Sequence, residues 1–246
     1  MSIVPARIAE DLAPTGRLRA CVNLGNPVLA HGTRAAPGGV TVDIALELGS
    51  RLGLPVALVC FDAARTSLEA MTEGQADVCF LAIEPAREAE VAFTAPYVLI
   101  EGVFVVPGDS AFATPADVDR GGVRIGVKKG SAYDLFLSRT LRHASVVRGG
   151  DGIDVFRDKG LEAAAGIRQP MTEFVGSHTG FRLVEGRFME IRQAMATTRA
   201  RSPETVGFLR AFVEELKASG FVAEALRRAN QPAVTVAPPD QPRSAS

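Results

Sequence analysis

Apolar side chains along the first hundred residues fall into two alternating rhythms. Residues 18–22, 56–61 (VALVCF) and 77–83 are short apolar runs rich in β-branched and aromatic types, which predicts strands. Between them Ile44, Leu48 and Leu52 recur at helical spacing and predict a helix over 40–52 that Gly53 ends. Residues 67–71 predict a second helix, stopped by Gly74. Strand, helix, strand, helix, strand with short links points to a parallel sheet covered by helices. The Gly-, Asn- and Pro-containing stretch through Gly39 reads as a loop.

Residues 98–107 (VLIEGVFVVP) form a β-rich stretch long enough to leave one lobe and enter another. A second alternating set follows: a strand at 123–127, a helix over 131–142, a strand at 145–148 and a helix through Phe156. Short apolar runs lie at 163–167 and 181–184, and 187–197 reads as a return strand. Val206, Leu209, Val213 and Leu216 predict a helix over 204–217, with Gly220 after it. The Pro- and Ser-containing residues from Pro232 onward predict disorder. The fold class is therefore α/β. One lobe comprises residues 1–103 with 190–246, and the other, 104–189, is inserted in it. Two crossing strands join the lobes, with a ligand cleft between them.

Composition narrows the partners. The 246 residues carry 27 basic and 28 acidic side chains, a formal net charge of −1, which removes the electrostatic case for nucleic acid or an anionic membrane. No apolar run approaches the roughly 20 residues of a membrane span. Four lysines (Lys128, Lys129, Lys159, Lys217) stand against 23 arginines, planar forks suited to carboxylate or phosphate. Residues 1–16 lack the basic start and apolar core of a secretory leader and read as an amphipathic helix through Ile3, Ala9 and Leu12, closed by Pro14. That predicts a cytoplasmic chain, or a periplasmic one if a leader has been removed. Cys21, Cys60 and Cys79 each sit in an apolar run and read as buried free thiols. His31, His143 and His178 are scattered, so no metal site is expected. The stretch from Gly126 to Ser131 lacks the spacing of a phosphate-binding loop, and no nucleophile elbow occurs.

Three stretches, GGVTVDIALELGSRLGLPVALV, LEAMTEGQADVCFLAIEPAREAEVAFTAPYV and VRIGVKKGSAYDLFL, resemble family 3 extracellular solute-binding proteins. These are the amino-acid-binding subunits of ABC importers, with the type II periplasmic binding fold. The most specific part is Gly74, Asp77, Arg87 and the Phe93-Thr94-Ala95-Pro96-Tyr97 motif. The resemblance implies that Arg87 grips a ligand carboxylate in bidentate fashion. Taken alone, Arg87 reads better as a solvated arginine paired with Glu84 or Glu90, and its place in the motif is what favours the ligand. Gly130 and Ser131 match the family's Gly-Ser/Thr at a helix start, where an anion is received; they also suit a plain N-cap. Phe93, Pro96 and Tyr97 read as structural.

Departures from the family pattern bear on the ligand. Ala82 and Glu84 stand where hydroxyl residues are common, and the family's acidic residue for an α-ammonium group falls near Ile167 and Arg168. The first loop offers Asn23 and Asn26 in place of a stacking aromatic. Arg87 with Arg168 suits a carboxylate or dicarboxylate without an ammonium group, whereas Glu84 would balance a cationic one. The expected function is binding of a small carboxylate-bearing metabolite, amino-acid-like or an organic acid, without a cofactor or catalytic residues. An ABC permease is a partner if the chain is exported. Two alternatives stand beside it. One is an enzyme of the cyclohexadienyl-dehydratase type with Glu84 as general acid; the other is a cytoplasmic metabolite sensor.

Overall fold

A computed structural model describes residues 4–240 of the chain. The chain divides into two compact units, residues 1–99 with 192–246 and residues 100–191. Ile3 of the expected N-terminal helix lies outside the described residues; the helix itself, α1, runs Ala6–Leu12 and buries Ile8 and Leu12.

In the first unit β1 (Leu18–Asn23) is followed by a short hairpin, β2 (His31–Thr33) and β3 (Ala36–Gly38). The sequence pattern there reads as a plain loop, because the strand residues are largely exposed and carry no apolar alternation. Helix α2 (Val40–Leu52) buries Val40, Ile44 and Leu48 and ends at Gly53 in the left-handed region, φ 66°. Next come β4 (Val56–Phe61), α3 (Ala64–Thr72), β5 (Cys79–Ala82) and the single turn α4 (Pro85–Glu88). Strands β1 and β4 pair in parallel, Leu18 opposite Val56 through Asn23 opposite Phe61. An isolated parallel bridge, Ala20 to Val78, sets β5 beside β1.

Strand β6 (Val91–Pro107) then leaves the first unit between Leu99 and Ile100. The second unit holds α5 (Pro115–Val118), β7 (Arg124–Lys128), α6 (Ala132–Thr140), β8 (Ser145–Gly149), α7 (Gly152–Asp158), β9 (Ala163–Ile167), α8 (Arg168–Ser177) and β10 (Phe181–Leu183). Strand β7 pairs in parallel with both β8 and β9. Strand β6 pairs antiparallel with β9, Gly102 opposite Ile167. Buried Val103, Val105, Val155, Phe156, Leu161, Ala164 and Met171 form this unit's core.

Strand β11 (Met189–Thr198) leads back, and its far half pairs antiparallel with β5, Ala82 opposite Gln193. The sheet is therefore mixed, where strand-helix alternation alone points to a parallel one. Helix α9 (Pro203–Ala218) starts at Ser202, whose hydroxyl accepts from the Thr205 N–H, and buries Leu209, Phe212, Val213 and Leu216. Helix α10 (Phe221–Arg228) precedes a last short strand, β12 (Thr235–Val236). The expectation of disorder from Pro232 is thus corrected for residues 232–240, while residues 241–246 lie outside the described residues. Val234 and Ala237 are buried and β12 pairs with β6, so backbone pairing overrides a loop-like composition.

Candidate functional site

Strand direction decides where the chemistry-bearing residues collect. Strands β1 and β5 run the same way, so Asn23 and Ala82 finish at the same end of the first unit's sheet. In the second unit β7 and β9 also run together, so Gly130–Ser131 and Arg168 follow strands that end side by side. Carboxyl ends of parallel strands, with loops free to vary, are where α/β proteins place ligands.

In the first unit the geometry gathers Ala82, Glu84 and Arg87. Ala82 closes β5, Glu84 is the residue before α4, and Pro85 at the first helical position fixes the turn. Arg87 lies on that turn, only 2% exposed, and its Nη1 donates to the Ala82 carbonyl at 3.1 Å. Burial lowers the guanidinium's pKa from its ordinary value, and the neighbouring Glu84 carboxylate, itself 3% exposed, opposes that shift. The solvated arginine considered above is therefore not what the structure holds. On the neighbouring loop Asn23 Oδ1 accepts from the Gly25 N–H at 3.0 Å, shaping the turn. The Asn26 carbonyl accepts from Leu29 and Ala30, whereas its side-chain Oδ1, in a residue 6% exposed, has no partner among the described residues.

In the second unit the corresponding groups are met by the chain itself. Gly130, φ 72°, donates its N–H to Asp134 Oδ2 at 2.8 Å, and Ser131 Oγ accepts from the Asp134 N–H at 3.1 Å. Asp134 is buried and also accepts from Ser138 Oγ at 3.1 Å and Arg148 Nε at 2.9 Å. The start of α6 thus receives a carboxylate, and it is this chain's own. Burial pushes the neighbouring Tyr133 hydroxyl up to about 12, so it stays a neutral donor. Arg168 opens α8 with Nε paired to Glu101 and Nη2 donating to the Gly186 carbonyl at 2.7 Å. Glu101 accepts from Arg187 Nη1 as well, at 3.1 Å. Burial alone would raise the Glu101 carboxyl; the two arginines outweigh it and hold it below its usual range. Asp134 and Glu101 carry no sequence signal of their roles, because each is defined by partners distant along the chain or by a cap that many helices share. Among the described residues no cluster of His, Cys, Asp and Glu suits a metal ion.

The sequence matches the profile of bacterial extracellular solute-binding proteins, family 3, over residues 18–230. A search of curated protein sequences finds no match. Among solved structures, the solute receptor for L-cysteine of Neisseria gonorrhoeae is 18% identical at a TM-score of 0.77, covering 93% of this chain and 99% of that one. An amino acid ABC transporter substrate-binding protein, AbpA from Streptococcus pneumoniae, bound to L-arginine, is 17% identical with a TM-score of 0.74, covering 91% and 98%. The ancestral amino acid-binding protein AncCDT-1, a precursor of cyclohexadienyl dehydratase, is 17% identical with a TM-score of 0.73, covering 89% and 97%. At these identities the likeness is one of fold.

Proposed function

Because the chain belongs to the bacterial extracellular solute-binding proteins of family 3, we propose that it binds a small carboxylate-bearing metabolite, amino-acid-like or an organic acid, in a cleft that closes on it. The observation that carries this reading is the family match itself, which runs through both units from residue 18 to residue 230. Arg87 is the group we assign to the ligand carboxylate. Pro85 sets the start of its turn, and burial removes competing water, which strengthens a bidentate hold on an anion. The pairing of Arg168 with Glu101 and of the Gly130 N–H with Asp134 gives these second-unit groups partners within the chain. The carboxylate therefore rests chiefly on Arg87, and specificity rests on neutral contacts such as Asn26 Oδ1. If the chain is exported, its partner is an ABC permease.

A thermal-shift screen with amino acids, keto acids, hydroxy acids and dicarboxylates tests this. A ligand at a hundred times its Kd should stabilise the protein by about 2.7 kcal/mol. Arg87→Ala, checked for native circular dichroism, should weaken a carboxylate hit at least tenfold by calorimetry; unchanged affinity sinks the assignment. One observation favours an enzymatic second reading. Glu84 is a buried carboxyl beside Arg87, a suitable place for a general acid. Product accumulating from prephenate or arogenate would establish it, and a stoichiometric, unconsumed ligand would exclude it.

A further inference from the structure

The end of the described chain does more than trail from α10. After Arg228 it reverses through Asn230, a non-glycine at φ 56°, with the Gln231 N–H donating to the Leu226 carbonyl at 2.8 Å. Strand β12 then lies antiparallel on β6, Thr235 opposite Leu99 and Val236 opposite Val98. The Ala237 N–H adds a bond to the Tyr97 carbonyl at 3.0 Å. Val234 and Ala237 are buried on either side of this pairing.

A strand this short holds poorly by pairing alone. Helix α9 supplies what is missing. Lys217, whose side chain is almost entirely buried, donates from Nζ to the Pro238 carbonyl at 2.9 Å and pairs with Glu214 at 2.5 Å. Glu214 Oε2 in turn accepts from the Asp240 N–H at 3.2 Å. The ammonium thus holds the tail through a charge-assisted bond to a peptide carbonyl, and the Glu214 carboxylate beside it holds the next residue but one.

The residues gripped are Tyr97, Val98 and Leu99, the last of the first unit before β6 passes into the second. We propose that residues 232–240 form a clasp, locked by Lys217 and Glu214, that holds β6 rigid at the point where the chain leaves the first unit. The clasp rests on backbone pairing and does not depend on the ligand reading. Releasing it frees the edge of β6 that faces β12 at 97–99, while β6 keeps β11 as its other neighbour and β1 keeps its pairing with β4.

Hydrogen–deuterium exchange on three proteins tests the proposal: a chain ending at Gln231, the full-length Ala237→Pro variant, which removes one N–H donor without shortening the chain, and Lys217→Met. Exchange at residues 97–99 should quicken at least tenfold in the shortened chain and by a smaller factor in both point variants. Exchange in β1 and β4 should stay as in the parent. Unchanged exchange at 97–99 in all three proteins overturns the proposal. So does an equal rise across β1 and β4, which would make the tail a general stabiliser of the first unit.

Discussion

Asp77 is fully buried, and its carboxylate is forked by Arg19, with Nε at 3.1 Å and Nη2 at 2.7 Å, while Arg201 Nη2 approaches to 3.4 Å. The Arg19 N–H also donates to it at 2.8 Å, so the side chain ties β1 to the segment before β5 and to the turn before α9. Asp77→Ala removes the common partner of two partly buried cations, and we expect a loss of about 3 kcal/mol in urea unfolding; a loss within 0.5 kcal/mol, about the size of an ordinary surface change, would contradict this. Asp119 shows the pH side of the same logic. Burial would raise its carboxyl, but the N–H groups of Ala144, Arg142 and His143 outweigh that and hold it below the ordinary 3.8. Its folded pKa is depressed, so its contribution is complete above the unfolded value and fades as pH falls through the folded one. Asp119→Ala should cost about 1–2 kcal/mol at pH 7, discounted for partial exposure. The gap to the parent should narrow as pH falls through the depressed folded pKa; a gap that does not narrow in acid assigns the loss to packing instead. Motif spacing singles out Asp77 and Arg87. It does not indicate that Asp77 meets Arg19 and Arg201, because partner choice across the fold leaves no trace in local spacing.

At the scale of elements, legibility follows burial. Helices α2 and α9 present one apolar face to a core, and their periodicity is plain. Helix α8 is not legible, since among its residues only Met171 is buried and Pro170 in its first turn mimics a loop. Strand β12 is silent for a related reason: two residues cannot display a period. Close approach between elements is equally hidden in sequence. Gly126 on β7 lies against the start of α7, and a Cβ there would come within 2.5 Å of the Gly152 carbonyl oxygen. That oxygen belongs to backbone and cannot swing aside. Gly126→Ala should therefore push α7 off β7 and cost about 1–3 kcal/mol in a thermal or urea melt. A variant as stable as the parent would mean the helix can slide without losing its contacts.

Across the whole molecule the thiols report on one unit alone. Cys21, Cys60 and Cys79 are free and buried, and all three belong to the first unit. Burial pushes the Cys21 thiol up to about 12 and Cys79 well above its ordinary value, so neither reacts until the first unit opens. Maleimide labelling followed by mass spectrometry then separates local from global opening. Asp77→Ala should speed labelling of Cys21 and Cys79, whereas Gly126→Ala, in the second unit, should leave their rates near those of the parent. Equal acceleration by both variants would mean that the units open as one.

The interrupted course of the first unit also sets an order of events at the ribosome. Strand β5 finds its antiparallel neighbour only in β11, with Ala82 opposite Gln193, and the whole second unit is synthesised in between. At ordinary elongation rates that wait is about ten seconds. The inserted unit, contiguous in sequence, has all its strands to hand before the host unit can complete its sheet. Meanwhile the backbone edge of β5 that β11 will pair, Cys79 to Ala82, stays open to chaperones or to wrong partners. The nascent chain is therefore most exposed to misassembly while its middle is already folding.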